Sequence, residues 1–163
     1  MSAPVCVFVA AVDRNGLLGV DGRLPWRLPL ELQHFRRLTL GRTVVLGRRT
    51  HEALGRALPG RRSVVLSRTL GGPPEGCALA RTLEEALSMD PLPVVIGGAE
   101  VFARAFPYCV TVHRTLIDHA FPAEGEAVYF PTPWPGPWTL EESVPETRDP
   151  HRWRYERWQR ATA

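Results

Sequence analysis

The chain contains no lysine: all 20 basic residues among its 163 are arginine. That excludes a Walker-type phosphate loop, a Schiff-base lysine and a lysine general base. Arginine is instead the side chain suited to forked bonds with phosphates and carboxylates. The net charge of +3 and pI near 9.1 fit anionic ligands. No basic run is interleaved with aromatics, so no nucleic-acid partner is expected. There is no run of about 18 apolar residues that could span a membrane. Residues 3–12 are too short and lack the basic leader of a signal peptide, so the expected location is the cytoplasm. Cys6, Cys77 and Cys109 are odd in number, widely spaced and without a C-x-x-C pair, and read as reduced packing residues. His34, His51, His113, His119 and His151 lack metal-ligand spacing, and no metal is expected. The G-x-S-x-G elbow and the G-x-G-x-x-G fingerprint are both absent.

What remains is an ordinary globular composition, 44% hydrophobic and 23% charged. At this length one domain, residues 1–163, buries about 70% of its unfolded surface. Residues 5–12 (VCVFVAAV) form a continuous apolar run, as in a strand buried on both faces. Residues 42–50, 61–68 and 92–106 repeat one pattern, a short β-branched run followed by a polar or glycine-rich turn. Helices are expected over residues 50–55, 83–89 and 99–106. Strands alternating with helices predict an α/β fold with a mainly parallel sheet. Residues 138–144 and 152–160 read as two β segments around PETRDPH, an antiparallel hairpin at the sheet edge. The proline-rich residues 130–138 are a connector, and Trp134, Trp138, Trp153 and Trp158 are packing residues.

In residues 24–39 (LPWRLPLELQHFRRLT) a turn at Leu24-Pro25-Trp26 precedes a helix with Pro29 in its first turn, where a missing N–H costs nothing. Leu28, Leu32, Phe35 and Leu38 form one stripe on a 3.6-residue repeat. Glu31 falls inside that stripe, while Gln33, Arg36 and Arg37 face elsewhere and His34 is assigned to the solvated face. Two readings of Glu31 stand. It is a solvated acid on a helix whose end is mis-set, or it is a buried carboxylate that a polar ligand pairs, since an unpaired buried acid is costly.

Ligands of open α/β sheets sit beyond the carboxyl ends of the strands. LGRRT puts Gly47, Arg48, Arg49 and Thr50 at one such end, where free N–H groups and two guanidiniums could meet a phosphate. LSR ends the next strand with Leu66, the hydroxyl of Ser67 and the guanidinium of Arg68. VIGGAEVF places Gly97 and Gly98 at a strand-to-helix turn, letting backbone approach a pyrophosphate. Together these suggest a dinucleotide carrying an extra phosphate.

In this order, LPWRLPLELQHFRRLT, VVLGRRTHEALGRALPGR and VVIGGAEVF resemble the dihydrofolate reductase family over residues 5–160. The resemblance implies a single-domain α/β fold: a central eight-stranded, mostly parallel sheet with an antiparallel C-terminal strand, flanked by four helices. It implies hydride transfer from NADPH to 7,8-dihydrofolate, giving tetrahydrofolate for one-carbon metabolism, with monomer the family default. Glu31 matches the acid that holds the pterin's N3 and 2-amino group, Thr115 its hydrogen-bond partner, and Trp26 the holder of a nearby water. Val9, Ala10, Ala11, Leu32, Phe35 and Leu54 match pocket walls, and Arg61 the grip on the folate tail's α-carboxylate. Residues 15–24 resemble the mobile loop over the nicotinamide, with Leu18, Gly19 and Leu24 touching cofactor along with Ala11. Gly47, Arg48, Arg49, Thr50, Leu66, Ser67 and Arg68 match the phosphate side of NADPH. Gly97, Gly98, Ala99, Glu100, Val101 and Phe102 match the pyrophosphate turn, where the family has a cis Gly–Gly peptide. His51 stands where the family is often aromatic and Phe102 where it often has tyrosine. Glu at the acid position and Leu24 replace residues common in bacterial members, though both occur in the family. Two other readings remain: a pyrimidine reductase of riboflavin synthesis, which would not need the Trp26/Glu31 helix, and a non-catalytic module for phosphorylated ligands or RNA, which would leave the acid unexplained.

Overall fold

A computed structural model describes residues 3–161. The elements in chain order are β1 (Cys6–Val12), β2 (Leu17–Val20), α1 (Pro29–Thr39), β3 (Thr43–Gly47), α2 (Arg48–Leu54), β4 (Arg62–Leu66), β5 (Cys77–Ala80), α3 (Leu83–Leu87), β6 (Val94–Gly97) and α4 (Ala99–Ala105). A 3-10 turn (Phe106–Tyr108), β7 (Cys109–Ile117), β8 (Ala127–Tyr129), β9 (Trp138–Glu146) and β10 (Trp153–Arg160) follow. Eight strands make one sheet in the order β5-β4-β3-β6-β1-β7-β10-β9, and β2 pairs with β8 separately. Neighbours from β5 to β7 are parallel, while β10 runs antiparallel to both β7 and β9. This is the mostly parallel sheet with a reversed C-terminal strand that the sequence implies.

The apolar run at residues 5–12 is continuous because β1 lies mid-sheet with both faces covered. Phe8, Ala10 and Val12 face the larger core, closed by Leu83 and Ala86 of α3 and by Val101, Phe102 and Ala105 of α4. Val7 and Val9 face the other side, where Phe35 and Leu38 of α1 pack. The aromatic end of the larger core gathers Phe106, Phe130, Trp134, Trp138 and Trp158, with Trp134 edge-on to Trp158 at 5.7 Å. Cys6, Cys77 and Cys109 are free, Cys6 and Cys109 buried and Cys77 half-buried. Among the described residues no helix is long and apolar enough to cross a membrane.

Several expectations need correction. His34 is not on a solvated face: its ring packs edge-on against Tyr155 at 4.5 Å and lies 5.5 Å from Trp153, because the C-terminal hairpin extends over that side of α1. Leu32 is the stripe member that leaves the core, 64% exposed while Leu28 is buried. Helix α2 begins at Arg48, directly after β3, two residues earlier than residue 50. The stretch 15–24 is not wholly loop, since it contains β2, paired with β8 at the edge of the connector. Strand β5 follows the Gly/Pro-rich residues 71–76, whose composition hides its start.

Candidate active site

Helix α1 supplies the acid. Glu31 is 9% exposed, and its Oε2 accepts a hydrogen bond from Thr115 Oγ1 at 3.0 Å. Thr115 belongs to β7, opposite Ala11 of β1 and Tyr155 of β10, so the acid lies against the middle of the sheet. Burial pushes the Glu31 carboxyl up to about 7; the Thr115 bond works against that shift, and the negative charge of Asp149 adds to it. Thr115 is the sole donor to the carboxylate among the described residues, which leaves acceptor capacity for a ligand. Trp26 is buried beside Phe121, ring centroids 5.4 Å apart, and its Nε1 has no acceptor among the described residues. A buried orphan donor and an under-bonded buried acid are what a polar ligand or water would satisfy. Glu31 is buried, so the solvated reading does not hold.

The second set of groups lies at the carboxyl ends of β4, β3 and β6, which are neighbours in the sheet. Helices α2 and α4 start there, with Gly47 and Gly98 as their N-caps, and neither has a side-chain cap. The contrast is internal: α3 is capped by Thr82 and α1 by Asp149. Open N–H groups at two adjoining helix starts suit an anion. The glycines permit close approach between these ends. A Cβ on Gly97 or Gly98 would meet Thr50 Oγ1 at 3.3 or 3.2 Å, and one on Gly47 would meet Val101 at 3.2 Å. The Gly97–Gly98 peptide is cis. Arg48 donates to Glu52 at 2.8 Å and to Thr69 Oγ1 at 3.0 Å, and the Ser67 hydroxyl accepts from the backbone N–H groups of Thr69 and Leu70, both at 3.2 Å. Arg68 is exposed at the same strand end. Arg49 departs from this grouping, pairing with Glu126 before β8 at 3.2 Å. Ala99 and Glu100 open α4 toward the strand ends, whereas Val101 and Phe102 are buried in the larger core, Phe102 4.9 Å from Phe8.

The remaining positions fall along the rim and floor. Val9 and Ala10 are buried in β1 and Ala11 is half-buried; Phe35 is half-buried on α1, and Leu32 and Leu54 are exposed. Leu66 is buried at the end of β4. Gly19 is buried and Leu18 half-buried in β2, and Leu24 is 61% exposed. Arg61 donates to Thr39 Oγ1 at 3.1 Å and to the carbonyl of Pro59 at 3.0 Å, close to the end of α1.

Four contributors escape the sequence reading. Asp13 is fully buried and roots the segment that follows β1, accepting from the N–H groups of Asn15, Leu17 and Phe121 at 2.8–3.0 Å. Thr69 ties Arg48 to the end of β4, and Arg81 holds the Ser67 carbonyl at 3.2 Å. Asp149 caps α1. Asp13 and Asp149 were findable only as acids beside apolar runs or prolines, a signal shared by many surface acids. Among the described residues no group of three or more His, Cys, Asp or Glu could hold a metal.

The fold and these two sets define an α/β protein with open helix starts at one group of strand ends and a buried acid at the next. Residues 5–160 match the family described as dihydrofolate reductase. The chain is 36% identical over 145 residues to the dihydrofolate reductase of Bacillus subtilis, covering 87% of this chain and 84% of that one. It is 45% identical over 118 residues to that of Mycobacterium tuberculosis, covering 70% and 73%. A solved structure of dihydrofolate reductase from Enterococcus faecalis, complexed with NADP(H) and RAB-propyl, superposes with a TM-score of 0.89 at 31% identity, over 97% of each chain. This chain belongs to the dihydrofolate reductase family.

Proposed function

We propose that the chain catalyses the NADPH-dependent reduction of 7,8-dihydrofolate to 5,6,7,8-tetrahydrofolate, with hydride delivered to pterin C6 and a proton to N5. One observation carries this reading: a 9%-exposed glutamate on α1 whose carboxylate has a single side-chain donor. Glu31 accepts from the pterin N3 and 2-amino group, and Thr115 keeps the carboxylate turned toward them. Trp26 uses its free indole N–H to hold a water near the pterin. The Glu31 charge favours the protonated pterin, while water is the final donor to N5. Val9, Ala10, Ala11, Leu32, Phe35 and Leu54 form the walls, and Arg61 grips the tail carboxylate through its fork.

The donor set fits NADPH. Arg48, Ser67 and Arg68 would hold the extra phosphate, with Leu66 beneath them. Gly47, Thr50 and the Gly97–Gly98 turn with Ala99 and Glu100 would hold the pyrophosphate, while Val101 and Phe102 seat that turn on the core. Leu18, Gly19 and Leu24 would cover the nicotinamide, and Arg49 would reach a cofactor phosphate only by leaving its pair with Glu126. When bound, NADPH supplies the hydride, and the protein supplies alignment and electrostatics. Residues 1–163 act as one domain, as a cytoplasmic monomer without a nucleic-acid partner. The test is loss of NADPH absorbance on adding dihydrofolate. Turnover is expected, and its absence with a pterin substrate, in folded protein, would remove the assignment.

A further inference from the structure

We propose that Asp149, in the turn between β9 and β10, is a positioning residue for Glu31, fixing the start of α1 and setting the charge behind the acid. The inference rests on the reading of Glu31 as the pterin's acid. The N-terminus of α1 is built unusually. Its N-cap is Leu28, which has no side chain able to accept a hydrogen bond, and Pro29 follows. The missing acceptor comes from 118 residues away. Asp149 Oδ1 accepts from the backbone N–H of Leu30 at 3.0 Å, and Oδ2 accepts from the backbone N–H of Glu31 at 3.0 Å. The indole Nε1 of Trp153 donates to the same Oδ2 at 2.9 Å. Asp149 is 8% exposed; the bonds from Glu31 and Trp153 are buried and the bond from Leu30 is half-buried.

Two consequences follow for the acid. The N–H clamped by Asp149 is Glu31's own, so the cap fixes the backbone from which the carboxylate projects toward Thr115. The buried carboxylate of Asp149 also places negative charge near Glu31, which favours the protonated form of Glu31 alongside burial. Of the other polar groups around this junction, Trp26 Nε1 and His34 Nε2 are buried without a partner among the described residues. Thr115 bonds Glu31 from β7, Arg148 is held by Glu146, and His34 on the next turn of α1 lies against Trp153. The C-terminal hairpin therefore sets both the place and the proton affinity of a residue on the first helix.

The experiment follows the carboxyl of Glu31 by 13C NMR with labelled glutamate from pH 5 to 9, in ligand-free wild type, Asp149→Asn and Asp149→Ser. Thermal unfolding is measured alongside. Asn keeps the shape without the charge, and Ser keeps one acceptor without the charge. The Glu31 titration is expected to move to lower pH in both variants, with a lower melting temperature from the weakened cap. A melting temperature that falls while the titration stays in place would reduce Asp149 to a structural cap and overturn the proposal, as would a titration that moves up. Because this readout needs no substrate, it is independent of Glu31→Gln kinetics, which decide whether Glu31 is the pterin's acid at all.

Discussion

The hydroxyl of Thr115, on β7, donates to Glu31 Oε2 across 3.0 Å, joining the middle of the sheet to the first turn of α1. That bond is the one interaction that lowers the proton affinity of Glu31 against burial and Asp149. Thr115→Val keeps the shape and removes the donor. Glu31 should then titrate higher than in wild type, and dihydrofolate binding should weaken by about 1.5–3 kcal/mol, the range for a bond to a charged group. Fluorescence titration at pH 7 and the Glu31 13C titration check the two effects together.

Stability should respond to pH through two groups with opposite signs. Glu31, pushed up to about 7 from 4.5, binds more protons in the folded than in the unfolded chain between those values, so its contribution falls as pH rises through that window. The full cost, about 3 kcal/mol at one pKa unit per 1.4 kcal/mol, is present above it. Glu31→Gln should therefore stabilise the ligand-free protein at pH 8 and lose that advantage near pH 4.5. His113 behaves conversely. Burial, with Arg42, Arg157 and His34 nearby, lowers it to about 4 from 6.5, and its Nδ1 lies 2.7 Å from the Tyr155 hydroxyl. The unfolded chain then binds more protons, so this contribution is complete above pH 6.5 and fades toward pH 4. Urea unfolding of wild type, Glu31→Gln and His113→Asn at pH 5, 6.5 and 8 separates the two.

Cofactor choice should rest on the Arg48–Thr69–Ser67 group with Arg68, and less on Arg49, which is engaged by Glu126. Specificity constants should favour NADPH over NADH strongly. Each charge-assisted phosphate bond contributes about 1.5–3 kcal/mol, so Arg48→Ala with Arg68→Ala should erase most of the preference, while Arg49→Ala alone should retain more of it.

Arg61→Ala should weaken dihydrofolate binding by about 2 kcal/mol or more, the low end for removing one partner of a desolvated charge pair, and leave NADPH binding nearly unchanged. A pterin substrate without the glutamate tail is the control. Equal damage to that substrate would mean that Arg61 acts through its bonds to Thr39 and Pro59 instead.

Much of this protein is legible in its sequence because the signals are local. A continuous apolar run of eight residues is typical of a doubly covered strand, and glycine pairs after β-branched runs mark strand ends. The position of Glu31 within the Leu28–Leu38 stripe raises a buried acid beside a solvated one, and only the fold decides between them. What the sequence hides depends on elements that meet late in the chain. His34 looks solvated on its helix until β10 brings Tyr155 and Trp153 against it. Asp149 looks like a turn residue before proline until the hairpin delivers it to α1. Strands β2, β5 and β8 have three or four residues each, too short for periodicity to register.

The central claim is that the charge of Glu31 promotes reduction of a protonated pterin. Single-turnover hydride transfer from pH 5 to 9, in wild type and Glu31→Gln with NADPH affinity measured alongside, tests it most directly. The rate at pH 7 should fall on the order of 10²–10⁴-fold, the usual worth of a positioned acid–base group, with the loss shrinking at low pH and cofactor affinity unchanged. A variant that keeps near-wild-type hydride transfer at pH 7 would contradict the account.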